Sequence, residues 1–120
     1  MAKSLRHFTI HEKIPDDLRN LKERDLQLLA LKKIQAIKSG HLHGQPLGDH
    51  RKTGDLSDCF KLLFDTRTDL PPRFRIVYRQ ENQDLEILFI EILSIGERYQ
   101  LEAYIAAAER LGRLPEEGEY

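Results

Sequence analysis

The sequence predicts an α+β fold in which an N-terminal strand and a helical hairpin pack on an antiparallel β-sheet, closed by a short C-terminal helix. Three observations predict it. Apolar residues recur at three-to-four spacing over 18–38, alternate singly over 59–64 and 73–79, and give way to a small-residue helical pattern after Tyr99.

Residues 5–10 include Phe8, Thr9 and Ile10 and read as a first strand. Pro15 followed by Asp16 and Asp17 then gives a helix start, with Pro in the first turn and carboxylates near the positive end of the helix dipole. From there Leu18, Leu21, Leu28, Leu29, Leu31, Ile34 and Ile37 line one helical stripe, broken into two helices near Arg24 and Asp25, and Ser39-Gly40 ends it with a glycine cap. Residues 41–54 hold three glycines, a proline and three histidines, the composition of an irregular connection. Phe60, Leu62 and Phe64 then share one face of a strand, with Cys59, Lys61 and Leu63 on the other. After the turn at 69–72, Phe74, Ile76 and Tyr78 face one way and Arg73, Arg75, Val77 and Arg79 the other. Residues 80–84 read as a polar hairpin loop, 85–95 as a strand covered on both sides, Gly96 as its break, and 99–111 as the closing helix. The helices are expected on the Phe60, Leu62, Phe64, Phe74, Ile76, Tyr78 face, leaving Lys61 and Arg75 on an exposed concave face.

With 120 residues, the chain is predicted to form one domain over 1–114, followed by a flexible acidic tail at 115–120. Lys plus Arg number 19 and Asp plus Glu 20, a net charge of -1 that excludes a protein coating nucleic acid by bulk positive charge. The balance is uneven: residues 1–60 carry 11 basic and 8 acidic groups, residues 61–120 carry 8 and 12. No run approaches the roughly 20 apolar residues of a membrane span, and the first residues lack the apolar core of a signal peptide, so the expectation is a cytoplasmic protein with no membrane partner. The single cysteine, Cys59, excludes an internal disulfide and reads as a small packing residue.

Lys61, Arg73, Arg75 and Arg79 fall on the outward faces of two neighbouring strands, and Arg98 follows the next strand after a Gly turn. Such a group suits a single phosphodiester, since Arg offers a planar fork to phosphate oxygens and Lys a compact charge or a base. RNA cleavage needs a base for the 2'-hydroxyl, positive charge on the phosphorane and a donor for the leaving 5'-oxygen. Tyr99 and Tyr104 add rings that can stack a splayed base. The alternative is an ordinary solvated sheet face, the commonest use of alternation.

The segments Gly54-Asp55-Leu56-Ser57-Asp58-Cys59-Phe60-Lys61-Leu62, Pro72-Arg73-Phe74-Arg75-Ile76-Val77-Tyr78-Arg79 and Ser94-Ile95-Gly96-Glu97-Arg98, with Ala103-Tyr104 beyond, resemble the RelE-type toxins of the RelE/ParE superfamily over about residues 20–112. The resemblance implies a RelE-like fold and a toxin that cleaves mRNA on the ribosome, in the A site of the 70S particle, without a metal or other cofactor, silenced by a cognate antitoxin in a hetero-oligomer. It implies catalytic roles for Lys61 as general base, Arg75 as transition-state stabiliser, Arg98 at the scissile phosphate and leaving group, and Tyr104 as an orienting ring. Arg73, Arg79, Arg51 and Lys52 are the accompanying substrate-binding candidates.

The sequence departs from that pattern at Leu63, where a second lysine is expected, in the extension at 65–72, and in its mild acidity. Two further readings therefore stay open: a ParE-like inhibitor that binds DNA gyrase, and a non-catalytic remnant that binds only its antitoxin. His41, His43 and His50 form no recognisable ligand set for a metal.

Overall fold

The computed structural model describes residues 5–50 and 52–114; the acidic tail and Arg51 singled out above lie outside them. The described residues run β1 (Leu5–Ile10), α1 (Ile14–Asn20), α2 (Arg24–Ser39), β2 (Gln45–Pro46), β3 (Asp49–His50), β4 (Gly54–Asp55), β5 (Cys59–Phe64), β6 (Phe74–Gln83), β7 (Glu86–Glu97), a 3-10 turn (Tyr99–Leu101) and α3 (Glu102–Arg110).

Pro15 opens α1 as its chemistry demands. The break between the helices falls at Lys22, whose φ of 64° no continuing helix can hold, and Gly40 caps α2 at φ 81°. β5, β6 and β7 form the expected antiparallel meander. The sheet as a whole is mixed, because β1 joins β7 in parallel to give the order β1-β7-β6-β5-β2. This corrects the purely antiparallel expectation: α1 and α2 occupy the connection after β1 and cover the sheet, so β1 enters from the far edge alongside β7.

Two further differences concern strand length. The ladder of β6 continues to Gln83, so the hairpin closes at Asp84 and Leu85 rather than over 80–84, with Asp84 at φ 53°. Gly96 does not break β7 but sits within it, opposite Arg75, where α3 crosses so closely that a Cβ would lie 3.4 Å from Ala103. The irregular connection holds the two-residue strand β2, which pairs with β5, and the ribbon β3–β4.

One face of the sheet carries Phe64, Phe74, Ile76, Tyr78, Ile87, Ile90, Ile92 and Ile95 against Ile14, Leu21, Leu26, Ala30, Ile34 and Ile37 of the hairpin, as the alternation predicts. The opposite face is not open. There α3 packs Ala103, Tyr104, Ala107 and Ala108 on Leu56, Cys59, Val77 and Leu93 as a second core. A bulge in β7 makes room for it: Val77 pairs with Ser94 and Tyr78 with Ile92, so Leu93 is the extra residue and joins Ser94 beneath the helix. Ser94 Oγ donates to the Ala103 carbonyl at 2.7 Å. The expected exposed concave face is thus largely buried, because small alanines let α3 lie directly on the strands.

A buried ion pair fastens the two helical layers together. Arg110 of α3 donates to the Asp17 carboxylate of α1 from Nη1 (2.6 Å) and Nη2 (2.8 Å), and the same carboxylate accepts the Ile95 amide at 2.9 Å. Arg110 Nη1 also reaches the Leu93 carbonyl at 2.7 Å.

Candidate functional site

Lys61 stands opposite Val77 on the α3-covered face and is half-buried. Its side chain lines a cavity of about 230 Å³ together with Leu47, Gly48, Thr53, Leu56, Leu101 and Tyr104. Its backbone is held from the other side, since β2 pairs with it and Gly44 approaches so closely that a Cβ would lie 2.5 Å from the Lys61 carbonyl oxygen. The Gly44 amide donates to Tyr78 Oη at 2.7 Å, pinning this connection to the central strand.

Arg75 is only 5% exposed, which corrects its expected place on an open face. Its Nε donates to Tyr104 Oη at 3.1 Å, and Nη1 donates to the carbonyls of Pro72 (2.8 Å) and Phe74 (2.9 Å). These partners are all neutral oxygens, so among the described residues its charge is hydrogen-bonded but not cancelled by a carboxylate. Leu63 is its cross-strand neighbour. A lysine there would set like charges directly opposite each other, and Leu63 removes that conflict.

The remaining arginines divide. Arg73 is committed to Asp65: Nε and Nη2 grip the carboxylate at 2.8 and 2.9 Å, and the Arg73 amide donates to it at 3.0 Å. That bidentate hydrogen bonding holds the Asp65 carboxyl well below the usual carboxylate range. Arg79 lies over the Phe89 ring at 4.4 Å and is surrounded by Asp58, Glu81 and Glu91 at 3.9, 3.5 and 3.7 Å. Asp58 is in turn bound by Arg113 Nη2 at 2.9 Å, which lowers its carboxyl. Arg73 and Arg79, two of the expected substrate-binding residues, are therefore largely neutralised by their own chain. Lys52 is exposed in the turn between β3 and β4.

Arg98 is exposed beyond the end of β7, and its amide donates to the Arg73 carbonyl at 2.8 Å. It lines a separate cleft of about 460 Å³ with Pro71, Pro72, Arg73, Glu97, Tyr99 and Gln100. The fold thus brings Lys61, Arg75 and Tyr104 together and leaves Arg98 in the neighbouring cleft. Among the described residues no group of three or more His, Cys, Asp or Glu could hold a metal ion. Cys59 is buried, and desolvation with Asp58 beside it pushes its thiol up to about 12, the character of a packing residue.

Sequence reasoning missed Asp65 and Asp58 as the partners that absorb Arg73 and Arg79. Asp65 follows the end of β5 and reaches Arg73 across a turn whose geometry the sequence does not give; nothing local marks Asp58 for Arg113. No family profile, curated protein or solved structure matches the chain. No helix among the described residues is long and apolar enough to cross a membrane.

Proposed function

We propose that the chain is a RelE-like toxin: an endonuclease that cleaves mRNA on the ribosome by metal-free attack of the 2'-hydroxyl, with a cognate antitoxin as its silencing partner. The supporting observation is the buried guanidinium of Arg75, bonded among the described residues only to neutral oxygens, one of them the hydroxyl of Tyr104, which shares a cavity with Lys61. An uncancelled buried cation attracts an anion to the adjoining space, and a phosphodiester is an anion that also needs a base and a donor.

In this reading the Lys61 amine takes the proton of the 2'-hydroxyl. As the 2'-oxygen bonds to phosphorus and the bond from phosphorus to the 5'-oxygen breaks, the Tyr104 hydroxyl, whose oxygen accepts from Arg75, gives its own proton to the leaving 5'-oxygen and is reprotonated by the Lys61 ammonium. Arg75 acts through Tyr104, orienting the phenol and adding positive potential. Arg98, in the neighbouring cleft, holds a flanking phosphate rather than the scissile one. Losing a positioned base or donor costs about 100- to 10,000-fold in rate, so Lys61→Ala and Tyr104→Phe should each abolish growth arrest on induced expression and mRNA cleavage in a translating extract. Wild-type chain that neither arrests growth nor cuts mRNA refutes the nuclease.

A specific observation favours the second reading. With Arg73 and Arg79 tied to carboxylates, fewer cations are left to bind RNA than the sequence alone implies, which keeps open a ParE-like gyrase binder or an antitoxin-binding remnant. Growth arrest with intact mRNA and inhibited gyrase selects the first of these; no arrest, with antitoxin binding retained, selects the second.

A further inference from the structure

The junction between β7 and α3 carries an aromatic ring that packing does not explain. Tyr99 is 69% exposed, and its hydroxyl takes only a long hydrogen bond, 3.4 Å, from the next side chain, Gln100. The backbone that presents it is strained: Gln100 and Leu101 stand at φ 52° and 60°, two successive non-glycine residues in the left-handed region. The consequence of that reversal is geometric. Leu101 is turned inward against the second core, and Tyr99 is left outward beside Arg98 and the Pro71–Pro72 segment.

Tyr104 cannot supply the same surface. It is 9% exposed, packed under α3 with its oxygen engaged by Arg75, so its ring has no open face for a base. The floor of the Tyr99 cleft is also fixed and electrically quiet, since Arg73 is held by Asp65 and its carbonyl accepts the Arg98 amide. Arg98 takes part in no ion pair among the described residues, whereas Glu97 lines the same cleft with the opposite charge.

Resting on the RNA reading above, we infer that this cleft is a nucleobase platform: Tyr99 stacks a splayed base of single-stranded RNA against the Pro71–Pro72 ledge, and Arg98 holds the adjacent phosphate. An exposed ring beside one guanidinium is the arrangement that binds unpaired bases, every base having a π-face and every linkage one negative charge. With one effective cation in the cleft, stacking rather than charge dominates, and the salt dependence is shallow.

The test is fluorescence anisotropy of the full chain with a labelled single-stranded RNA heptamer and with an abasic ribose-phosphate oligomer of equal length, at several salt concentrations. Wild type should bind the base-bearing strand on the order of tenfold more tightly than the abasic one. Tyr99→Ala should erase that preference and Tyr99→Phe retain it. The slope of log affinity on log salt should be about -0.7, falling towards zero in Arg98→Ala. Equal binding of the two strands by wild type, unchanged preference in Tyr99→Ala, or no RNA binding at all overturns the platform. If growth arrest and mRNA cleavage persist in that event, the nuclease reading stands and only the platform falls; if they are absent as well, both fall.

Discussion

Replacing Asp17 by alanine removes a carboxylate that accepts three hydrogen bonds from two distant parts of the chain, the Ile95 amide and both terminal nitrogens of Arg110. Three consequences follow in the folded state. Arg110 loses its counter-charge while its side chain is 15% exposed, the Ile95 amide is left buried without an acceptor, and α1 is no longer fastened to α3. Breaking a buried pair by deleting one partner costs about 3–5 kcal/mol, and an orphaned buried amide about 1–3 kcal/mol. The two overlap, and Arg110 keeps the Leu93 carbonyl and some access to water, so the expected loss is near the bottom of the first range, about 3 kcal/mol. With a urea m-value of about 2 kcal/mol per molar, the unfolding midpoint should fall by roughly 1.5 M at an unchanged slope. Asp17→Asn keeps an oxygen for the Ile95 amide and should lose about half as much. In the double variant Asp17→Ala/Arg110→Ala no buried charge is left unpaired, so its loss should be smaller than the sum of the single losses by about 1–2 kcal/mol. The reasoning is refuted if Asp17→Ala shifts the midpoint by less than about 0.3 M, or if the two single losses simply add.

Three other outcomes follow from the structure. The depressed Asp65 carboxyl stabilises the fold above its unfolded value of about 4, and that contribution drains away as pH falls towards the much lower folded value; wild type should therefore exceed Asp65→Asn in urea midpoint at pH 7, with the gap narrowing below about pH 4, and a gap constant into strong acid would contradict the Arg73 clamp. Cys59, buried with its thiol raised to about 12, should resist a thiol-specific chromogenic reagent at pH 8 in the native state and react at the rate of unfolding as urea is added; immediate labelling of native protein would show the site is open. Gly44→Ala forces a Cβ to 2.5 Å from the Lys61 carbonyl oxygen, a clash with backbone that cannot swing aside, and should destabilise by about 1–3 kcal/mol in thermal unfolding, whereas Gly48→Ala, with nothing within 4 Å, should be nearly silent.

What the sequence disclosed was local and periodic. Pro15 and Gly40 announced the helix ends, and the alternation of Phe60, Leu62, Phe64 and of Phe74, Ile76, Tyr78 identified the face that meets the hairpin. Alternation also assigned Arg75 and Lys61 to the opposite face correctly, but it cannot say what covers a face. The cover came from α3, whose Ala103, Ala107 and Ala108 are small enough to lie on the strands. For the site, Lys61, Arg75 and Tyr104 were legible and do gather at one place. The neutralisation of Arg73 and Arg79 was not, because it depends on Asp65 at a turn of unknown geometry and on Asp58, Glu81 and Glu91 from three elements. The bulge at Leu93, which brings both Leu93 and Ser94 beneath α3, leaves no mark in a strand apolar on both sides.

The parallel pairing of β1 with β7 governs the order in which this chain can assemble. Leu5 must find Ile87 and Ile10 must find Ile92, so the earliest described strand has no partner until the last strand exists. The meander β5-β6-β7 pairs strands close in sequence and can form first; β1 docks only after the longest loop closure of any strand pairing in the sheet. Its Phe8, which packs against the main core, stays uncovered in the meantime. The window between synthesis of β1 and of β7 is therefore when this protein is most exposed to strand mispairing, and changes in β1, which docks last, should speed unfolding and lower stability while leaving the folding rate nearly unchanged.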